Sequence, residues 1–151
     1  MGTIATDQPV IPNRSKTTLN IADFWDKTSQ AWQTIWGPHI HHGYFETHLE
    51  SPVEAQEKLI QKLLMLLAIS PHDEILDVGC GLGGSSLYLA KKYGAKVTGI
   101  TLSPKQVEMA SRLTKEKRVK KVFFKVEDAL SLASFADNTF DLVFGELRTV
   151  L

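Results

Sequence analysis

The sequence holds one cysteine, Cys80, and no surplus of either charge, since Lys plus Arg and Asp plus Glu each total 17. A single thiol excludes an intrachain disulfide and suits a reducing compartment. Balanced charge supplies no global field to draw the chain towards nucleic acid or an anionic membrane surface. Long apolar runs are also missing. The longest, Leu63 to Ile69, falls far short of the ~20 residues that cross a bilayer. The start of the chain is polar and broken by Pro9 and Pro12, so it carries no secretory h-region. No cysteine–histidine set has zinc-ligand spacing, and no metal is expected. These absences predict a cytoplasmic protein without an integral membrane segment or a nucleic-acid partner. What remains, 43% hydrophobic in 151 residues, suffices for one domain with a real core.

The chain is organised around Glu74-Ile75-Leu76-Asp77-Val78-Gly79-Cys80-Gly81-Leu82-Gly83-Gly84. The apolar run reads as a buried strand, and the glycine-rich turn feeds a helix over Ser85 to Tyr93. No side-chain cap is visible, which leaves the helix's first N–H groups for a ligand. Gly79-x-Gly81-x-x-Gly84 matches the dinucleotide fingerprint, a weak signal alone. Asp77 discriminates. A carboxylate just before the turn suits a ligand carrying a cation and meets a pyrophosphate with like charge. A zwitterionic sulfonium ligand fits both features, its carboxylate towards the helix and its ammonium towards the acid. Cys80 reads as a small residue in a crowded turn, with no base beside it in sequence.

Elsewhere, residues 1–20 read as a loose leader. A helix follows over Ile21 to Trp36, with Phe24, Trp25, Trp32, Ile35 and Trp36 apolar and Asp23, Asp26 and Lys27 on the wet side. His39, His41 and His42 follow in a loop, either packed there or able to accept a proton. Ser51-Pro52-Val53-Glu54 is a capping box opening a helix to about Ile69, with Leu59, Ile60, Leu63, Leu64 and Leu67 as its core face. Gly94 suits the C-terminal cap of the helix after the glycine turn. Strands are expected over Lys96–Ile100, Val122–Val126 and Phe140–Phe144. A helix runs from Pro104 to Lys117, Ser103 and Gln106 forming a second capping box and the basic end being solvated. Glu127-Asp128-Ala129 ends the third strand on the same rim as the glycine turn, where open α/β sheets bind ligands.

Asp77-Val78-Gly79-Cys80-Gly81-Leu82-Gly83-Gly84 resembles the first motif of class I S-adenosylmethionine-dependent methyltransferases, in the branch of tocopherol, sterol and cyclopropane-forming enzymes. Trp36 to Tyr44 is similar to the N-terminal segment of the tocopherol type, and Asp137 to Val143 is similar to the family too. The resemblance implies S-adenosyl-L-methionine as cofactor and methyl transfer to a small, lipophilic or aromatic acceptor. It implies cofactor contacts at Asp77, Gly79, Cys80, Gly81, Gly83 and Thr101. Thr101-Leu102-Ser103 with Gln106 implies that Leu102 covers the adenine and Gln106 reaches the ribose. Asp128 would accept the adenine amino group, with Ala129 against the ring. The lid role falls on residues 21–50, where His41, His42 and Tyr44 are catalytic candidates, with no general base assigned.

The implied fold is a Rossmann-like α/β parallel sheet, strands 3-2-1-4, the N-terminal half of a seven-stranded 3-2-1-4-5-7-6 sheet. Residues 51–151 are read as an incomplete cofactor-binding domain, truncated after the fourth strand. That strand becomes an apolar edge, open to self-association. Two rival readings are a truncated non-catalytic cofactor-binding or interaction module, and an NAD(P)-dependent oxidoreductase. Asp77 and Thr101 weigh against the latter, since a nicotinamide site wants an acid at the end of the second strand.

Overall fold

The computed structural model describes residues 16–47 and 49–145. Its centre is β1 (Glu74–Val78), whose Ile75, Leu76 and Asp77 are all buried. β2 (Lys96–Thr101) and β4 (Leu142–Gly145) pair with it in parallel on either side, and β3 (Val122–Val126) lies beyond β2. The order is therefore 3-2-1-4, as expected, and the fold is a Rossmann-like α/β sheet. Register sets Asp77 beside Gly99 of β2 and Phe144 of β4, so the C-terminal strand ends form one rim. Burial thins towards the sheet's margins. Phe123 and Val143 are exposed, giving β3 and β4 the alternating pattern of strands covered on one face.

α3 (Gly84–Tyr93) follows β1 and α4 (Pro104–Glu116) follows β2. Gly94 closes α3 in the left-handed conformation that glycine adopts without a Cβ clash, its N–H donating to Ala90 O at 3.0 Å. α2 (Pro52–Leu64) opens with the full reciprocal cap: Glu54 Oε2 accepts from the Ser51 N–H at 2.8 Å, and Ser51 Oγ accepts from the Glu54 N–H. The core joins Ile60 and Leu64 of α2 to Leu87 and Leu89 of α3 over Ile75, Val97 and Phe144.

Several expectations change here. α2 stops at Leu64 rather than Ile69, and its leucine face is only partly covered: Leu63 and Leu67 are exposed. The inner stripe runs Gln56, Ile60, Leu64 at i, i+4 spacing, which turns Leu63 away from the sheet. α1 (Lys16–Trp36) begins within the expected leader, whose residues 1–15 lie outside the described residues, as do 146–151. Its buried face is Thr18, Ala22 and Ser29, while Phe24 and Ile35 are exposed and Trp25, Trp32 and Trp36 half-buried. Small residues win that face because α1 packs on α4 rather than on the core. Asp23 pairs with Lys27 at the surface and Asp26 is exposed, both as expected, and Asp26 also reaches α4. The basic end of α4 is not wholly solvated either. Lys121 Nζ donates to Gly94 O at 3.0 Å, closing the loop behind α3.

Among the described residues β4 pairs only with β1, and no helix is long and apolar enough to cross a membrane. Ile60→Ala is expected to cost about 2–5 kcal/mol of stability, and Leu66→Ala, at an exposed turn, less than about 0.5 kcal/mol. Urea denaturation of the two variants checks the contrast.

Candidate cofactor cleft

The turn after β1 can form because Gly79, Gly81 and Gly83 all take positive φ, at 72°, 53° and 82°. The Gly79 and Cys80 N–H groups both donate to Ile100 O at 2.9 Å, tying the turn to β2. Beyond that the glycines divide. A Cβ on Gly79 would meet nothing within 4 Å, so this position opens onto free space. A Cβ on Gly83 would stand 2.6 Å from Phe124 Cζ, and one on Gly84 2.5 Å from Pro38 O. Gly79 faces a ligand's space, whereas Gly83 and Gly84 let neighbouring chain approach.

That space is a cleft of about 270 Å³ on the C-terminal rim. Asp77 lies at its floor, 2% exposed, and its Oδ2 accepts from the Ser86 hydroxyl at 2.5 Å. Burial pushes its carboxyl up from 3.8 to about 6, partly offset by the Ser86 hydrogen bond. Burial, then the nearby Asp77, raises the Cys80 thiol well above its ordinary value, which keeps it in the inert thiol form. Glu127 is buried with Oε2 held by the Ser134 hydroxyl, and Asp128 Oδ1 accepts from the Leu130 N–H at 2.9 Å. Thr101 Oγ1 donates to Gln106 Oε1 at 2.6 Å. Among the described lining residues stand three carboxylates and no Lys or Arg.

The roof comes from α1 and the strap after it: Ile21, Trp25, Pro38, His39, Ile40 and His41. Gln56 of α2 anchors the strap, its Nε2 donating to His39 O at 2.9 Å and His41 O at 3.0 Å. His41 Nδ1 faces the His42 carbonyl at 2.8 Å; a carbonyl only accepts, so Nδ1 carries the proton. In the neutral ring Nε2 then accepts, and it lies 3.2 Å from His39 Nδ1 and 3.4 Å from Ser85 Oγ. Burial, then repulsion from His41, lowers His39 from 6.5 to about 4, so it is neutral at pH 7.

Of the residues singled out from sequence, Asp77, Gly79, Cys80, Gly81, Thr101, Leu102, Gln106, Asp128, Ala129 and His41 all border this cleft. Gly83 does not, because it is packed against Phe124; His42 and Tyr44 also lie off its walls. The helix start is less open than expected, since the Gly84 N–H donates to Pro38 O at 3.2 Å. The second capping box forms by half: Ser103 Oγ accepts from the Gln106 N–H, but the Gln106 side chain turns to Thr101. Sequence reasoning missed Trp25, Ser86, Glu127 and the Gln56 anchor. The adjacent acids Glu127-Asp128 at a strand end were a usable signal; a glutamine inside a helix was none.

The family model described as "Methyltransferase domain" matches residues 75–149. A probable tocopherol O-methyltransferase, chloroplastic, of Oryza sativa is 42% identical over 135 residues, spanning 83% of this chain and 37% of that protein. A 2-methyl-6-phytyl-1,4-hydroquinone methyltransferase of Synechocystis is 40% identical, across 87% of this chain and 42% of its own length. The chain belongs to the class I S-adenosylmethionine-dependent methyltransferase family. It spans about two fifths of the length of these curated methyltransferases. Among solved structures of the fold, the cyclase SpnF superposes with a TM-score of 0.74 at 31% identity, over 83% of this chain and 48% of that one. A mycolic acid cyclopropane synthase reaches the same TM-score at 23% identity, over 87% of this chain and 46% of its own, a likeness of fold alone.

In this member of the methyltransferase family, Gly79→Ala is expected to lose about 1–2 kcal/mol of stability from left-handed strain alone. Gly83→Ala adds overpacking against Phe124, for a loss of roughly 3 kcal/mol or more. Equilibrium unfolding separates the two.

Proposed function

We propose that the cleft binds S-adenosyl-L-methionine and that the whole protein transfers its methyl group to a small lipophilic or aromatic acceptor. The observation that carries this reading is the wall of three carboxylates, Asp77, Glu127 and Asp128, without a facing Lys or Arg among the described residues. Such a wall repels a diphosphate and attracts a cationic ligand, which also disfavours a nicotinamide dinucleotide. The open space over Gly79 fits a ligand pressed against backbone, and Asp77, with one oxygen held by Ser86, fits an ammonium partner.

When bound, the cofactor supplies an activated sulfonium methyl. The chain's part is then to orient and to exclude water. In this reading Gln106 reaches the ribose, Leu102 covers the adenine and Asp128 accepts its amino group, while residues 21–50 form the lid. The apolar lining of Ile21, Trp25, Ile40 and Phe144 supports a greasy acceptor, and the curated relatives are named for tocopherol and a phytyl hydroquinone. His41 is the one catalytic candidate of the three that borders the cleft. A lone buried thiol suits a reducing compartment such as the cytoplasm, although the plant relatives are named chloroplastic. The outer edge of β4 offers a route to self-association.

The sign of the pH dependence follows from Asp77. With a native value near 6 against 3.8, the folded state holds the proton longer. Stability from this group is therefore full below about pH 4 and declines as pH rises to 6. An ammonium ligand prefers the carboxylate, so binding opposes protonation. Calorimetric titration with S-adenosylmethionine should show affinity falling below pH 6, by up to tenfold per pH unit, with protons released on binding at pH 6. Asp77→Asn should abolish that release. Tight binding of reduced nicotinamide dinucleotide, with none of S-adenosylmethionine, would reverse the reading. Binding without turnover would leave a cofactor-binding module.

A further inference from the structure

We propose that Asp26 is a positioning residue, latching α1 shut over the cleft and fixing Gln106 within it through Ser103. Asp26 Oδ1 takes two donors from the start of α4, the Ser103 hydroxyl and the Lys105 N–H at 3.0 Å. Ser103 is fully buried, and its Oγ also accepts from the Gln106 N–H at 3.0 Å. A hydroxyl has one proton, so the order of donation is fixed: Gln106 N–H to Ser103 Oγ–H to Asp26. The carboxylate also sits at the positive end of the α4 dipole. One group from 77 positions away in sequence thus completes the cap of the helix that carries Gln106.

Two further contacts tie this latch to the ligand space. Trp25, next to Asp26, and Gln106 both line the cleft. With Gln106 Oε1 occupied by Thr101, its Nε2 remains as the donor for a ligand. Near the N-terminal end of α1, Thr18 Oγ1 donates to Asp128 Oδ2 at 3.4 Å, so α1 also touches a cleft residue directly. Asp23, one turn earlier, spends itself on Lys27 within α1 and makes no such link. The inference rests on the cofactor reading for Gln106, and on geometry alone for the latch.

All three tryptophans, Trp25, Trp32 and Trp36, lie on α1, so tryptophan emission reports this helix alone. The test compares wild type, Asp26→Ala, Asp26→Asn, Gln106→Ala and the Asp26→Ala/Gln106→Ala double variant. Acrylamide quenching is read without ligand, and S-adenosylhomocysteine affinity by titration. Asp26→Ala removes both hydrogen bonds and should raise quenching and weaken affinity roughly tenfold. Asp26→Asn keeps an oxygen for both donors and should restore most of each signal. The double variant should bind no more than about twofold weaker than Gln106→Ala, since coupled residues are not additive. If Asp26→Ala does not fold, Ser103→Ala carries the same comparison. Unchanged quenching, or additive affinity losses, overturns the latch. A wild type that ignores the nucleoside ligand defeats the cofactor reading instead, while quenching still decides whether Asp26 holds the lid.

Discussion

A carboxylate buried at the end of the central strand, with no cation beside it among the described residues, is the constraint on which this structure turns. Asp77 has Gly99 on one side and Phe144 on the other, and the Ser86 hydroxyl as its hydrogen-bond donor. Holding charge there is costly, and that cost shows as the raised carboxyl. The neighbouring groups are shaped around it. Gly99 has no side chain because a Cβ there would lie 2.7 Å from Phe124 and 2.9 Å from Cys80. The turn can thus sit against β2, and Ser86 on α3 comes within reach of the acid. A ligand bearing a positive group would relieve the strain that the protein alone leaves unbalanced.

The lid and the strap answer a second constraint, which is to roof a polar floor without filling it. α1 does so with a narrow face of small residues, held by hydrogen bonds from its first turn and its middle rather than by a broad apolar contact. The strap is held by Gln56, one side-chain amide serving two carbonyls. Attachments of this kind release more readily than core packing, as the proposed lid role requires.

Much of this was legible in the chain. The parallel pairing of β1 with β2 followed from the strand–helix–strand pattern, because such a crossover has a strongly preferred hand. The order 3-2-1-4 followed from the resemblance to the methyltransferase family. Asp77, Leu102, Gln106 and Asp128 converge because each stands at or just beyond a strand's C-terminal end, and such ends meet on one rim. What failed was orientation within helices. Leu63 and Leu67 read as core but face outward, and Phe24 and Ile35 read as buried but are exposed. Periodicity gives the direction of an apolar face only within a residue or so, and the packing partner decides the rest.

The sequence by itself determined the parallel α/β sheet and the acid-before-glycine turn, since both depend on residues close together along the chain. Only the tertiary structure decided that Gly79 opens to a ligand while Gly83 is packed, and that Asp26 caps a helix 77 residues away. It likewise decided that Glu127 joins Asp77 in one cleft. Those facts depend on which surfaces meet, and local propensity carries no information about a neighbour distant in sequence.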